Sequence, residues 1–161
     1  MASKLGEKIL ITNKYKKISS QINETATINY IKRVYSKENA SKFIFVSTCS
    51  NYGLSKNKHL NENHKLKPLS PYAKSKVKIE KFILKLKRKK AFSPTILRFA
   101  TAFGFSNRMR YDLTINQFTK DLYLKRYLEI YDFNTWRPYC HVKDFARLIY
   151  KIFKSSSKTN L

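Results

Sequence analysis

Acidic side chains are few in this chain: 10 Asp and Glu stand against 34 Lys and Arg, a formal net charge of +24. Such an imbalance raises the prior for nucleic acid or another polyanion, but the excess is mostly lysine and is spread along the sequence. The densest run, KLKRKK from Lys85 to Lys90, falls where a helix is expected to end, and cations there also suit the helix dipole. No groove-reading or single-strand-binding motif accompanies it, so nucleic acid ranks as a minor partner. Sulfur and imidazole are sparse too. Cys49 and Cys140 lie far apart without C-x-x-C or metal-ligand spacing, and free thiols are expected. His59 and His64 fall in a polar stretch and His141 in a strand-like run, so no metal site is expected. There are three glycines, Gly6, Gly53 and Gly104, and they form no glycine-rich phosphate loop. No uncharged apolar run reaches the ~18 residues of a transmembrane helix. The opening MASKLGEKILIT lacks the apolar core of a signal peptide, so a cytoplasmic chain with no membrane partner is expected.

What is present is enough for one core: 161 residues, 42% of them hydrophobic and 14% aromatic, point to a single domain. Residues 1–21 stay unassigned, 22–154 form the expected domain and 155–161 a frayed tail. Apolar positions recur at helical spacing from Ile22 to about Lys37. FIFV, Phe43 to Val46, reads as a parallel strand buried on both faces. A polar loop from Leu54 to Leu69 leads to a helix from Pro71 to about Lys89, and TILRF, Thr95 to Phe99, is a second strand. The loop AFGFSNRMRYD follows, then a helix from Leu113 to about Lys125, a short strand from Tyr127 to Tyr131 and a last helix from Asp144 to Phe153. Alternating strands and helices imply an α/β domain with a parallel sheet and right-handed crossovers. Ligands of such sheets bind beyond the carboxyl ends of the strands, where STCSNYG and AFGFSNRMR emerge.

In SPYAKSK, Ser70 is expected to cap a helix with Pro71 at its first position. Tyr72 and Lys76 then lie one turn apart on one face. The spacing alone is weak, because the chain also holds Tyr52/Lys56, Tyr139/Lys143 and Tyr150/Lys154. It leaves open the plain alternative of a half-buried tyrosine with a solvated lysine neighbour. Tyr72 differs in opening a long helix after a strand that ends in Ser47-Thr48. A nearby ammonium lowers the pKa of a phenol, which fits it for proton transfer, while a hydroxyl from Ser47 or Thr48 binds the oxygen of an alcohol or ketone. Removing that proton favours hydride loss from the same carbon. No side chain accepts a hydride, so a nicotinamide cofactor is required.

At these residues the chain resembles the extended short-chain dehydrogenase/reductase family, the NAD-dependent nucleotide-sugar epimerases and dehydratases. The motifs come in family order from about Ile22 to Ile149: INETAT, FIFVSTCSNYG, PLSPYAKSK, LRFATAFG and WRPYCHVKDFARLI. The resemblance implies a Rossmann-like, doubly wound parallel sheet, here partial and truncated. It implies Tyr72 as catalytic acid/base, Lys76 as the residue that lowers its pKa and binds the nicotinamide ribose, and Thr48 as the hydroxyl on the reacting oxygen. Ser47 and Phe99 are expected beside the cofactor. Arg137 matches an arginine that grips the substrate diphosphate, and Asn116, Arg108 and Arg110 lie where relatives contact the nucleotide sugar. Asp144 is expected to cap the last helix or order its loop.

Two departures shape the expectation. Relatives that dehydrate sugars carry Asp-Glu after the threonine, and Cys49-Ser50 stand there, leaving epimerisation or reduction. The family's Gly-x-x-Gly-x-x-Gly loop is missing, which sets binding of NAD or NADP by this chain alone in doubt. The expected partners are a nucleotide-diphosphate sugar and either a second copy or a complementing chain. The competing expectation is a non-catalytic remnant that binds polyanions through its basic surface.

Overall fold

The computed structural model describes residues 18–37, 42–54, 59–87, 92–130, 133–134 and 136–155. A π-helical turn, Gln21–Ala26, runs without a break into helix α1, Thr27–Ser36. Strand β1, Phe43–Thr48, is followed by a 3-10 turn, Cys49–Tyr52, and then by α2, Pro71–Lys85. Strands β2, Pro94–Phe99, and β3, Thr101–Phe103, are separated by Ala100 alone. Helix α3, Thr114–Lys125, strand β4, Tyr139–His141, and helix α4, Val142–Lys154, complete the order.

β1 pairs in parallel with β2, from Phe43 opposite Pro94 to Thr48 opposite Phe99. β3 pairs in parallel with β4, so the β2–β3 line is flanked by β1 at one end and β4 at the other. Side chains alternate between the faces of a strand. Phe45 and Ser47 point toward α2, and Val46 and Thr48 point the other way.

On the first face the core consists of Ile31, Phe45, Ile79, Ile83 and Phe92, with Ile28, Val34 and Leu86 packed around it. Phe92 meets Tyr35 edge-on at 5.4 Å and Phe43 at 5.5 Å. On the second face α4 lays Phe145 flat on Phe99, with ring centroids 3.9 Å apart. Helices therefore cover both faces, the doubly wound arrangement expected. The Lys42 ammonium, just before β1, donates to the carbonyls of Ile152, Phe153 and Ser155 at the end of α4. A cation there satisfies carbonyls that have no partner within the helix.

Several boundaries depart from the sequence reading. α2 ends at Lys85, before Lys89, because Leu86 turns to an extended conformation and packs on the core. Residues 101–103, mostly placed in a loop, form β3 because β4 offers them a partner. Tyr127 to Ile130 form no strand: no described strand lies alongside to complete a ladder, and Tyr131 falls outside the described residues. α4 begins at Val142, with His141 as its cap through Nδ1, which accepts from the Lys143 amide at 3.2 Å. Asp144 therefore does not cap the helix and pairs instead with Arg147 at 2.9 Å. ILIT and the second half of KLKRKK, residues 88–90, lie outside the described residues. Among the described residues no helix is long and apolar enough to cross a membrane.

Candidate active site at the carboxyl end of the first strand

The end of β1 and the start of α2 meet because a short turn and two caps fix them. Thr48 Oγ1 accepts from the Ser50 amide at 3.2 Å and so caps the Cys49–Tyr52 turn. The loop returns to that turn through Lys67, whose amide donates to Asn51 O at 3.0 Å. Gly53 permits the approach: its φ is +70°, and a Cβ on it would lie 2.0 Å from Lys67 O. Ser70 Oγ accepts from the Ala73 amide at 3.1 Å, with Pro71 in the first turn, as the sequence indicated.

This geometry leaves Tyr72 at the mouth of the strand, 42% exposed. Burial of the rest of the side chain pushes its phenol pKa up, the Arg110 guanidinium pulls it down and the Cys49 thiol adds an upward push. Lys76 Nζ donates to Val46 O at 2.8 Å and lies 4.7 Å from the Phe45 ring centroid and 5.6 Å from that of Tyr72. Its own pKa is pushed down by burial, against the pull of Glu80. The lowered Tyr72 pKa expected from Lys76 is thus not present in this structure. The ammonium is directed at a strand carbonyl, and the cation acting on the phenol is Arg110. Arg110 is held by Asp112 through two contacts, Nε to Oδ1 at 2.7 Å and a terminal nitrogen to Oδ2 at 2.6 Å. Cys49 is pushed up by burial and pulled down by Arg137, which brings that arginine to the same mouth.

Other residues singled out in the sequence stand apart. Ser47 is buried, its hydroxyl turned toward α2, where it donates to Glu80 Oε1 at 2.5 Å. Phe99 lies beneath Phe145. Asn116 is nearly buried and both ends of its amide are engaged, accepting from the Gly104 amide at 3.3 Å and donating to Arg110 O at 3.2 Å. It clamps the loop that carries the arginines. Arg108 is exposed and pairs with no carboxylate among the described residues. Beside that loop a groove of about 580 Å³ runs between Phe103, Phe105, Met109, Tyr111, Ile115 and Tyr123.

Sequence reasoning gave no role to a buried polar cluster beneath the mouth. Glu80, 1% exposed, receives Arg98 through Nε at 3.1 Å and a terminal nitrogen at 2.8 Å, and Asn51 Nδ2 at 2.8 Å. Arg98 also donates to Tyr52 OH at 2.9 Å, and the carboxylate holds its pKa above the ordinary arginine value. Asn51 Oδ1 is buried with no hydrogen-bond partner among the described residues. The available signal was an arginine inside the apolar run TILRF, which has to find an anion if that run is buried.

The family model for the NAD dependent epimerase/dehydratase family matches residues 12–160. The chain is 34% identical over 106 residues to the uncharacterized UDP-glucose epimerase YtcB of Bacillus subtilis (strain 168), covering 65% of this chain and 33% of that protein. Among solved structures it resembles the UDP-N-acetylglucosamine 4-epimerase from Methanobrevibacter ruminantium M1 in complex with UDP-N-acetylmuramic acid. That likeness has a TM-score of 0.76 at 22% identity, over 99% of this chain and 49% of the other. It also resembles the UDP-glucuronic acid 4-epimerase from Bacillus cereus in complex with UDP-glucuronic acid and NAD, with a TM-score of 0.76 at 23% identity, over 94% of this chain and 46% of that one. The chain spans about a third of the first relative and about half of the solved structures.

Proposed function

The chain belongs to the NAD dependent epimerase/dehydratase family, and on that premise we propose that it provides the proton-transfer half of a nucleotide-sugar epimerase or reductase. The observation that carries this reading is the docking of α2 on β1. The Lys76 ammonium bonds Val46 O at 2.8 Å, which sets Tyr72 beside the turn that follows Thr48. In this reading the Thr48 hydroxyl bonds the reacting oxygen of the sugar and Tyr72 takes or returns its proton. Arg137 and Arg110, which both act electrostatically on groups at this mouth, bind the diphosphate of the substrate through their forked donors. With Cys49 and Ser50 after Thr48 there is no acid and base pair for 4,6-dehydration.

NAD or NADP supplies the hydride acceptor when bound. The donor set fits its ribose end: a phenol and an ammonium, both partly open to solvent, suit the nicotinamide ribose hydroxyls. These 161 residues hold no glycine-rich loop for the pyrophosphate. The reading therefore includes a complementing chain that carries such a loop and completes the cofactor cradle. Exposed Phe105 and Tyr123, 82% and 84% accessible, give such a chain apolar surface to cover.

The test is titration of the purified chain with NAD, then with a UDP-sugar, by calorimetry. Saturable binding of the UDP-sugar is expected of the chain alone, and saturable binding of NAD only once the cradle is completed. No saturable binding at millimolar cofactor would overturn catalysis by this chain alone. Restoration on adding a chain that carries the glycine loop would support the complementing reading.

One observation favours a different class of function. Lys74, Lys78, Lys81 and Lys85 follow helical spacing along the solvent face of α2, and of these only Lys78 meets a carboxylate among the described residues, Glu24 at 3.1 Å. A polyanion bound there would show affinity that falls steeply with salt, and affinity flat in salt rules this reading out.

A further inference from the structure

We propose that Glu80 is a positioning residue, its buried carboxylate holding the strand end that carries Thr48 in register with the helix that carries Tyr72 and Lys76. The assignment rests on the roles proposed above for those three side chains.

In a chain with only 10 acidic residues, one is placed at 1% exposure. A buried charge costs several kcal/mol unless it is paired and fully hydrogen-bonded. Glu80 is so bonded, and its donors come from both sides of Thr48. Ser47 Oγ, just before it, donates at 2.5 Å, and Asn51 Nδ2, within the turn after it, donates at 2.8 Å. Arg98, on the neighbouring strand opposite Ser47, closes the set at 2.8 Å and extends it to Tyr52 OH and, at 3.3 Å, to Glu62 O. One carboxylate thus ties β1, the turn and β2 to α2.

On α2 it stands on the same face as Lys76 and Tyr72, at successive spacings of four residues, so it is rigidly placed relative to both. An ion pair serving stability alone could be replaced by apolar side chains of similar volume at little cost. What such a replacement would lose is the directional hold on Ser47 and Asn51, and a negative charge that favours the charged form of Lys76.

The test uses NMR on the full chain, with labelled threonine and isoleucine methyls, tyrosine and phenylalanine rings and lysine side-chain termini. Signals are assigned through Thr48→Ser, Tyr72→Phe, Lys76→Met, Ile83→Val and Phe92→Leu. In Glu80→Gln the Thr48 and Tyr72 signals are expected to shift while those of Ile83 and Phe92, on the core side, stay in place. The titration midpoint of Lys76 is expected to move down, and Glu80→Asp is expected to recover part of that movement. Thr48 and Tyr72 signals that stay in place in a folded Glu80→Gln protein would overturn the assignment. If Glu80→Gln does not fold, Ser47→Ala, which deletes one donor and leaves the ion pair, carries the same test through the Thr48 and Tyr72 signals. Failure to bind NAD, measured separately on the unmodified chain, bears on the functional reading and leaves these signals to decide the positioning one.

Discussion

Lys76 and Val46 are joined by a 2.8 Å hydrogen bond from ammonium to backbone carbonyl, and this bond fixes the second helix against the first strand. Lys76→Met removes the donor and leaves the carbonyl without it, an effect of about 1 to 2 kcal/mol on stability. Chemical denaturation is expected to show that loss, and cofactor titration of a binding-competent assembly is expected to show weaker NAD binding. Full retention of both would contradict the role given to the lysine.

Tyr72→Phe is expected to leave folding intact and cofactor binding largely so, because the ring stays and the Lys76 ammonium still serves the ribose, while the hydroxyl itself stands at a half-open mouth. Hydride exchange in an active assembly is expected to disappear. Retained turnover would refute Tyr72 as the proton carrier.

The same substitution has a pH signature. Burial raises the Tyr72 pKa above its ordinary 10.0, so above that pH the unfolded chain loses a proton that the folded chain keeps. The unfolded state then binds fewer protons, and stability falls as pH rises from 10.0 toward the folded pKa. Denaturation curves across that window should show a decline in the wild type that is shallower in Tyr72→Phe. Equal slopes would remove the case for a desolvated phenol.

Asn51→Asp sets a second carboxylate against Glu80 inside the buried cluster, in place of the amide that donates to it at 2.8 Å. A loss of about 2 to 4 kcal/mol is expected at neutral pH, with partial recovery as acid protonates the pair. A variant as stable as wild type at pH 7 would mean that the cluster is hydrated and looser than drawn.

Gly53→Ala forces a Cβ into the Lys67 carbonyl at a φ of +70°. At least about 2 kcal/mol is expected to be lost, read as a fall in Tm, because the obstacle is backbone. At Gly104 the neighbouring atom is the movable ring of His141, and the strain there comes chiefly from a φ of +118°.

The local features of this site were legible in the sequence because local chemistry determines them. Ser70 and Pro71 announce a helix start whatever surrounds them, and FIFV announces a buried strand. The Tyr72 and Lys76 spacing followed from that start. Glu80 and Arg98 were not legible as a pair, since their contact depends on a helix lying over a neighbouring strand. Asn116 drew attention through its place in the order of motifs, while the bonds that its amide makes to the Gly104 and Arg110 backbone were not legible there. Tyr127 to Ile130 show the converse limit. Their composition suits a strand, but a strand exists only where a neighbour completes the ladder.

Lys42 grips the carbonyls at the end of α4 from a position 110 residues earlier in the chain, at Ile152, where the bond is 3.0 Å. A contact of that sequence separation forms only after a long loop has closed, a slow and entropically costly event. The approach to the first described strand is therefore finished by the last described helix. Until α4 arrives the face of Phe99 stays uncovered.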